Sequence, residues 1–186
     1  NNKIRLSFVG NLDTLIWSPD HAGIRQALGS MKQDRQIEGW QVVDCHYHHS
    51  TGKDILDTIK EFNPTLIIHG MTDSLTSGWV VRIGEQMPHI MQVFSMWDFR
   101  PMELAYDGLW EQWKEAGKYL KLITLSNKEQ LDWWARDFGV KTMYWPHACV
   151  VKDVEYDAKY GFDCVFTGSR NDSGPYADRA RFIDSI

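Results

Sequence analysis

A regular alternation of short apolar runs with segments of helical periodicity constrains the fold more than any other feature of this chain. Six apolar runs predict strands, at 4–10, 40–47, 64–70, 89–96, 119–125 and 140–145. Five segments between them predict helices: one beginning at Ser18 and Pro19, then 54–62, 78–86, 103–116 and 128–138. The run PTLIIHG at 64–70 is apolar on both faces, which is typical of a parallel sheet covered by helices. The predicted fold class is therefore α/β, with a doubly wound, mostly parallel, Rossmann-like sheet.

The same alternation predicts the domain organisation. Residues 1–148 complete one Rossmann-like N-terminal domain, and the polar stretch 149–161 is predicted to be a linker. At 162–168 the run FDCVFTG starts a new strand, and a helix follows at 175–186. One strand and one helix cannot enclose a core of their own. We therefore expect residues 162–186 to begin a truncated C-terminal domain, which makes the 186-residue chain a fragment.

Charge and cysteine content exclude several classes of partner. The chain has 20 basic and 25 acidic residues, a formal net charge of -5, and no basic run, so nucleic acid is not expected as a partner. Three dispersed cysteines do not make a disulfide framework and favour a reducing, cytoplasmic compartment. No run of about 18 apolar residues occurs, so no transmembrane segment is predicted. The N-terminus opens with a strand-like segment rather than a basic region followed by an apolar one, so no signal peptide is predicted.

The residues that follow the predicted strands are unusually polar. Ligands of open parallel sheets bind at the carboxyl ends of the strands, so these residues are candidates for a site. The candidates are Gly10, Asn11, His69, Trp97, Asp98, Arg100 and His147. Each could also be an ordinary residue of a connecting loop. Together they predict a polar crevice at one edge of the sheet.

The tryptophans fall into two groups. Four lie at helical spacings that favour packing in a core or an interface: Trp110, Trp113, Trp133 and Trp134. Three lie at strand ends or in loops, where stacking on a sugar or base is an alternative: Trp17, Trp97 and Trp145.

Two further patterns are candidates for metal and phosphate binding. Strand alternation places His46 and His48 on one face, where they could chelate zinc, but no third ligand, HExxH or CxxC is evident. No metal site is therefore predicted. The segment TGSRNDSG at 167–174, with Ser169 and Arg170, could direct backbone N–H groups at a phosphate. Neither a dinucleotide-binding fingerprint nor a P-loop occurs.

Several motifs together resemble a known family. They are WDFRP at 97–101, the stretch YLKLITLSNKEQLDWWARDFGVKTMYWPHA at 119–148, and FDCVFTGSRND at 162–172 followed by Arg179 and Arg181. This layout is similar to that of GT-B glycosyltransferases, in particular the spore-maturation-type branch and those like glycosyltransferase families 1 and 4. In these enzymes two Rossmann-like domains face each other across a cleft. The N-terminal domain receives the acceptor, and the C-terminal domain binds the nucleotide-sugar donor without an obligatory metal.

The resemblance implies a role for each candidate. Asp98 and His69 would be candidates for the catalytic base that deprotonates an acceptor hydroxyl. Ser169 and Arg170 would approach the donor diphosphate, whose developing charge an arginine can neutralise. The acceptor side would be bordered by Gly10, Asn11, Trp97, Arg100 and His147. No cofactor is implied beyond the nucleotide-sugar co-substrate, and the partner would be a glycan or small-molecule acceptor.

Two other functions remain open at this stage. One is a non-catalytic α/β module in which the crevice binds a small ligand or a protein and the tryptophans form a homodimer face. The other is a metal-dependent hydrolase that uses His46 and His48. On the transferase interpretation, the chain by itself is expected to be inactive, because most of the donor domain would be missing.

Overall fold

The computed structural model describes residues 4–10, 19–44, 54–70, 74–96 and 109–146. Six strands are present in this part: β1 Arg5–Gly10, β2 Gly39–Asp44, β3 Leu66–His69, β4 Met91–Met96, β5 Leu120–Leu125 and β6 Thr142–Tyr144. Five α-helices connect or follow them: α1 Pro19–Gln33, α2 Ile55–Phe62, α3 Ser74–Gln86, α4 Leu109–Gly117 and α5 Leu131–Phe138. A single 3-10 turn, Lys128–Gln130, precedes α5.

All six strands pair in parallel, in the order β2-β1-β3-β4-β5-β6. Alternation along each strand gives the sheet two faces. We call the face that carries Val9, Ile67 and Phe94 the front face, and the face that carries Phe8 and Ile68 the back face. Helices α2 to α5 pack on the front face and α1 packs on the back face. Helices on both faces of an all-parallel sheet confirm the predicted doubly wound, Rossmann-like α/β class.

The predicted elements agree with this structure, with differences at their ends. Helix α3 begins at Ser74, four residues before the predicted start, because its first turn (SLTSG) lacks the apolar spacing that reveals a helix in sequence. Strand β6 is shorter than predicted, at three residues. The predicted residues 45–47 of the second strand and 103–108 of the fourth helix lie outside the described residues.

The chain separates into two compact units, Asn1–Val150 and Val151–Ile186. Every described residue belongs to the first unit. The predicted linker at 149–161 and the predicted start of a second domain at 162–186 therefore lie outside the described residues. None of the described helices is both long and apolar enough to span a bilayer.

Three of the tryptophans predicted to pack in a core or an interface do so, with Trp133 half-buried against the cluster that holds the other two. Trp113 of α4 and Trp134 of α5 are fully buried on the front face, together with Phe94 of β4 and Phe138 of α5. Trp113 stacks on Phe94 with a ring-centroid distance of 4.3 Å, and Trp134 stacks on Phe138 at 4.6 Å. Large, offset-stacked aromatic rings bury much apolar surface, so this cluster stabilises the β4–β5 half of the sheet.

Helix α2 begins with a side-chain cap that also joins it to α3. Asp54 is the N-cap, and its Oδ1 accepts a hydrogen bond from the backbone N–H of Leu56 at 3.0 Å. Its Oδ2 forms an ion pair with Arg82 of α3 at 2.7 Å. The Leu56 N–H, followed by Arg82, lowers the pKa of Asp54 below its usual value. The cap therefore contributes stability above that ordinary pKa, and the contribution is lost as pH falls through the lowered value.

We expect Asp54→Ala to lower the free energy of unfolding by about 1–2 kcal/mol. Most of this loss comes from the cap, since an exposed ion pair such as the one with Arg82 adds only up to about 1 kcal/mol. Urea denaturation at neutral pH measures the change. Asp57→Ala, which removes an exposed carboxylate from the first turn of the same helix, is the matched control and should cost much less. Equal losses in the two variants would contradict the assignment of the cap.

Candidate functional site

The order of the strands creates a topological switch point between β1 and β3. From β1 the chain crosses to β2 on one side, and from β2 it returns past β1 to β3 on the other side. The connection from β1 to β2 runs over the back face, and the connection from β2 to β3 runs over the front face. The loops at the carboxyl ends of β1 and β3 are therefore separated. Open α/β sheets bind their ligands in the crevice at such a point. This edge of the sheet is therefore the candidate functional site.

Two glycines form the described rim of the switch point on the back face. Gly10 ends β1, and Gly70 follows β3, where its N–H donates to the carbonyl of Val9 at 2.9 Å. A Cβ on Gly70 would lie 2.6 Å from Cζ of Phe8, and a Cβ on Gly10 would lie 3.1 Å from Cε1 of the same ring. The Phe8 ring thus occupies the space that side chains at these positions would need. Glycine at both positions is therefore required by the close packing of this ring against the main chain.

Buried polar side chains lie on the back face at the same height along the strands as the two glycines. Asp44, the last residue of β2, pairs in register with Gly10, and Ser95 of β4 pairs with Thr124 of β5. Phe94 of β4 pairs in register with His69 of β3. The next residue of β4, Ser95, therefore lies level with Gly70, the residue after His69. All three side chains are buried, and Oγ1 of Thr124 has no hydrogen-bond partner among the described residues.

These three polar residues were not among the sequence-predicted candidates. Asp44, Ser95 and Thr124 lie inside runs that are otherwise apolar, WQVVD, HIMQVFSM and YLKLITL, so they look like minor interruptions of buried strands. Their position near the carboxyl end of each strand is the one signal in the sequence that could have revealed them. Only the register shows that they line up with the two glycines.

His69, a predicted catalytic base, occupies the other side of the sheet. It is the last residue of β3, and its side chain lies on the front face with 0% exposure. Its Nε2–H donates to Oε1 of Gln92 at 2.8 Å, and Nε2 of Gln92 donates to the carbonyl of Val80 at 3.0 Å. Burial lowers the pKa of His69 to about 4, with the Gln92 hydrogen bond opposing part of that shift. The imidazole is therefore neutral at physiological pH.

The other sequence-predicted site residues lie outside the described residues. They are Asn11, Trp97, Asp98, Arg100, His147, Ser169 and Arg170, together with His46 and His48 of the metal alternative. Their roles stay predictions. Within the described part of the chain, no group of three or more His, Cys, Asp or Glu side chains could hold a metal ion.

The described residues thus bring together Gly10 and Gly70 over Phe8, with a buried carboxylate and hydroxyls at the same level. Polar groups at the carboxyl edge of a switch point suit a polar small molecule. The binding of substrate by Gly10 itself stays a prediction. Searches against protein-family models, curated proteins and solved structures return no match to this chain.

Proposed function

We propose that this chain carries the acceptor-side domain of a GT-B glycosyltransferase, which transfers a sugar from a nucleotide-sugar donor to an acceptor hydroxyl. The observation that carries the proposal is the glycine-rimmed switch point of an all-parallel sheet. The sequence pattern supports it, because WDFRP directly follows β4 and the stretch at 119–148 spans β5, α5 and β6 in the order that the family uses. Donor binding by Ser169 and Arg170 is part of the same proposal.

Asp98 is the stronger of the two candidates for the catalytic base. A base must come within about 2.6–3.2 Å of the hydroxyl that it deprotonates. His69 is fully buried on the front face, and its pKa of about 4 makes it a weak base at neutral pH. Asp98 comes two residues after the end of β4, next to the switch point in strand order. We therefore assign proton abstraction to Asp98 and substrate contacts to Gly10, Asn11, Trp97, Arg100 and His147.

The test is sugar transfer by the full-length protein, supplied with a panel of nucleotide sugars and hydroxylic acceptors. We expect Asp98→Asn to lower kcat by about 100-fold or more, which is the usual contribution of a general base, with little change in donor affinity. Arg170→Ala should instead weaken donor binding, because it removes a charge-assisted contact to the diphosphate. Asp132→Asn, a change at an exposed position of α5, is the control and should leave both quantities unchanged.

Three other outcomes would change the assignment. Donor binding without any turnover would favour the non-catalytic binding module. Neither binding nor turnover with any nucleotide sugar would remove the transferase proposal. A turnover that is unchanged in Asp98→Asn would move the base to another residue.

A further inference from the structure

A continuous chain of hydrogen bonds joins β3, β4 and α3 beneath the switch point. His69 at the end of β3 donates to Gln92 of β4, and Gln92 donates to the carbonyl of Val80 in the middle of α3. All three residues are buried. The two bonds cross from strand to strand and from sheet to helix, so they restrain the position of α3 on the front face.

The two hydrogen bonds also determine which nitrogen of His69 carries the proton. The carbonyl of Val80 can only accept, so the amide nitrogen of Gln92 must face Val80 and its oxygen must face His69. That oxygen accepts, so Nε2 of His69 must be the protonated nitrogen. Nδ1 is left as a bare lone pair, and it has no hydrogen-bond partner among the described residues.

We propose that the His69–Gln92–Val80 chain is an acid-sensitive latch that holds α3 against the sheet beside the switch point. Protonation of His69 would add an N–H at Nδ1, where no described acceptor lies. A buried imidazolium with an unpaired donor is strongly unfavourable, so protonation has to be coupled to exposure of the ring. Separation of α3 from β3 and β4 provides that exposure and breaks the bond to Val80.

No described charged group near His69 would stabilise the cation in place. The charged side chains of the two helices over this part of the face are exposed: Asp57, Lys60 and Glu61 of α2, and Arg82 and Glu85 of α3. The strands on either side of β3 carry one charge, Arg5, at the opposite, amino end of β1. In register with His69 are Val9 and Phe94. Burial, rather than a neighbouring charge, accordingly dominates the lowering of its pKa.

The direction of the pH effect follows from this lowering. A histidine exposed in the open state has an ordinary pKa of 6.5, and the latched one has a pKa of about 4. The latch is therefore fully closed above the ordinary pKa and loosens as pH falls between these two values. Between about pH 7.5 and pH 4.5 the equilibrium constant for opening should rise roughly 50-fold or more, since each unit of pKa difference is worth a factor of ten. This inference does not depend on the proposed transferase activity.

Hydrogen exchange of the backbone amides tests the latch. After correction for the intrinsic effect of pH, we expect amides of α3 to lose protection steeply below about pH 6.5, while amides of α5 keep theirs. In His69→Phe, which keeps a ring and removes the titration, this extra loss should disappear. His89→Gln, which changes an exposed histidine just before β4, should behave like the parent protein. Protection of α3 that does not depend on pH, or that depends on it equally in His69→Phe, would overturn the proposal.

A second variant decides the question if His69→Phe does not fold. Gln92→Met has a similar volume but removes both hydrogen bonds, so at neutral pH it should reduce the protection of α3 more than that of α5. An equal reduction in both helices would mean a general loss of stability and would overturn the latch. In the parent protein, nitrogen-15 NMR of the histidines should show His69 protonated at Nε2 and bare at Nδ1 near neutral pH. The opposite tautomer would also overturn it.

Discussion

Replacing Trp113 by alanine is expected to lower the free energy of unfolding by about 3–5 kcal/mol, the range for truncation of a fully buried tryptophan. The ring is 1% exposed, stacks on Phe94, and lies in the cluster that joins α4 to β4 and β5. Its removal leaves a cavity between the helix layer and the sheet, which side chains of both would have to fill. Urea denaturation of the purified variant measures the loss, with a secondary-structure and a tertiary-structure probe to confirm a single transition.

Trp113→Phe separates the packing of the ring from the burial of its N–H. Nε1 of Trp113 has no hydrogen-bond partner among the described residues, so the parent protein carries the cost of an unpaired donor. Phenylalanine keeps a stacked ring and removes that donor, so we expect a loss within about 1 kcal/mol of zero. A loss in Trp113→Phe as large as that in Trp113→Ala would contradict this expectation.

Gly84→Ala is expected to destabilise the protein by about 2–3 kcal/mol, although alanine is the better helix former. Gly84 lies inside α3, and a Cβ there would come 2.7 Å from Cβ of Tyr119, with the root of the aromatic ring closer still. Rotation of the tyrosine cannot remove this overlap, because Cβ is fixed by the backbone. The helix would have to move away from the segment that leads into β5. A thermal unfolding scan should show a melting temperature lower by roughly 4–12 °C.

The same helix supplies a matched control for this prediction. At Gly78 an added Cβ would meet no atom within 4 Å, so Gly78→Ala should raise the free energy of unfolding by about 0.5–1 kcal/mol through helix propensity alone. Opposite signs for the two substitutions would show that Gly84 is required by contact with Tyr119 rather than by local conformation. Stabilisation by both would contradict the packing of α3 against Tyr119.

The fold could be predicted because strands buried on both faces leave a strong record in sequence. The run PTLIIHG gave β3, and the Ser-Pro start and apolar spacing of 19–33 gave α1. The order of the strands is different, because nothing local to a strand states which neighbour it pairs with. The reversal of order at β1 and β3, and with it the location of the switch point, became visible only from the pairing.

The candidate site was predicted less completely, and His69 shows why. A histidine at the end of an apolar run can lie on either face. Because β3 is apolar at its odd-numbered and its even-numbered positions, its sequence does not tell which face His69 occupies. Its register with Val9 and Phe94 puts it on the front face and buries it. The hydrogen bond from His69 spans 23 positions of sequence, a separation at which neither spacing nor periodicity predicts a partner.

The sixth strand has a consequence for association between molecules. β6 is at the edge of the sheet among the described strands and is three residues long, with Lys141 just before it and Pro146 two residues after it. Met143 and Trp145 beside this edge are about half exposed, which would invite a foreign strand to pair. So short an edge offers few backbone groups, and a nearby charge and a proline that lacks an N–H limit its extension. The exposed apolar side chains at this edge of the sheet therefore carry little risk of aggregation by strand pairing there.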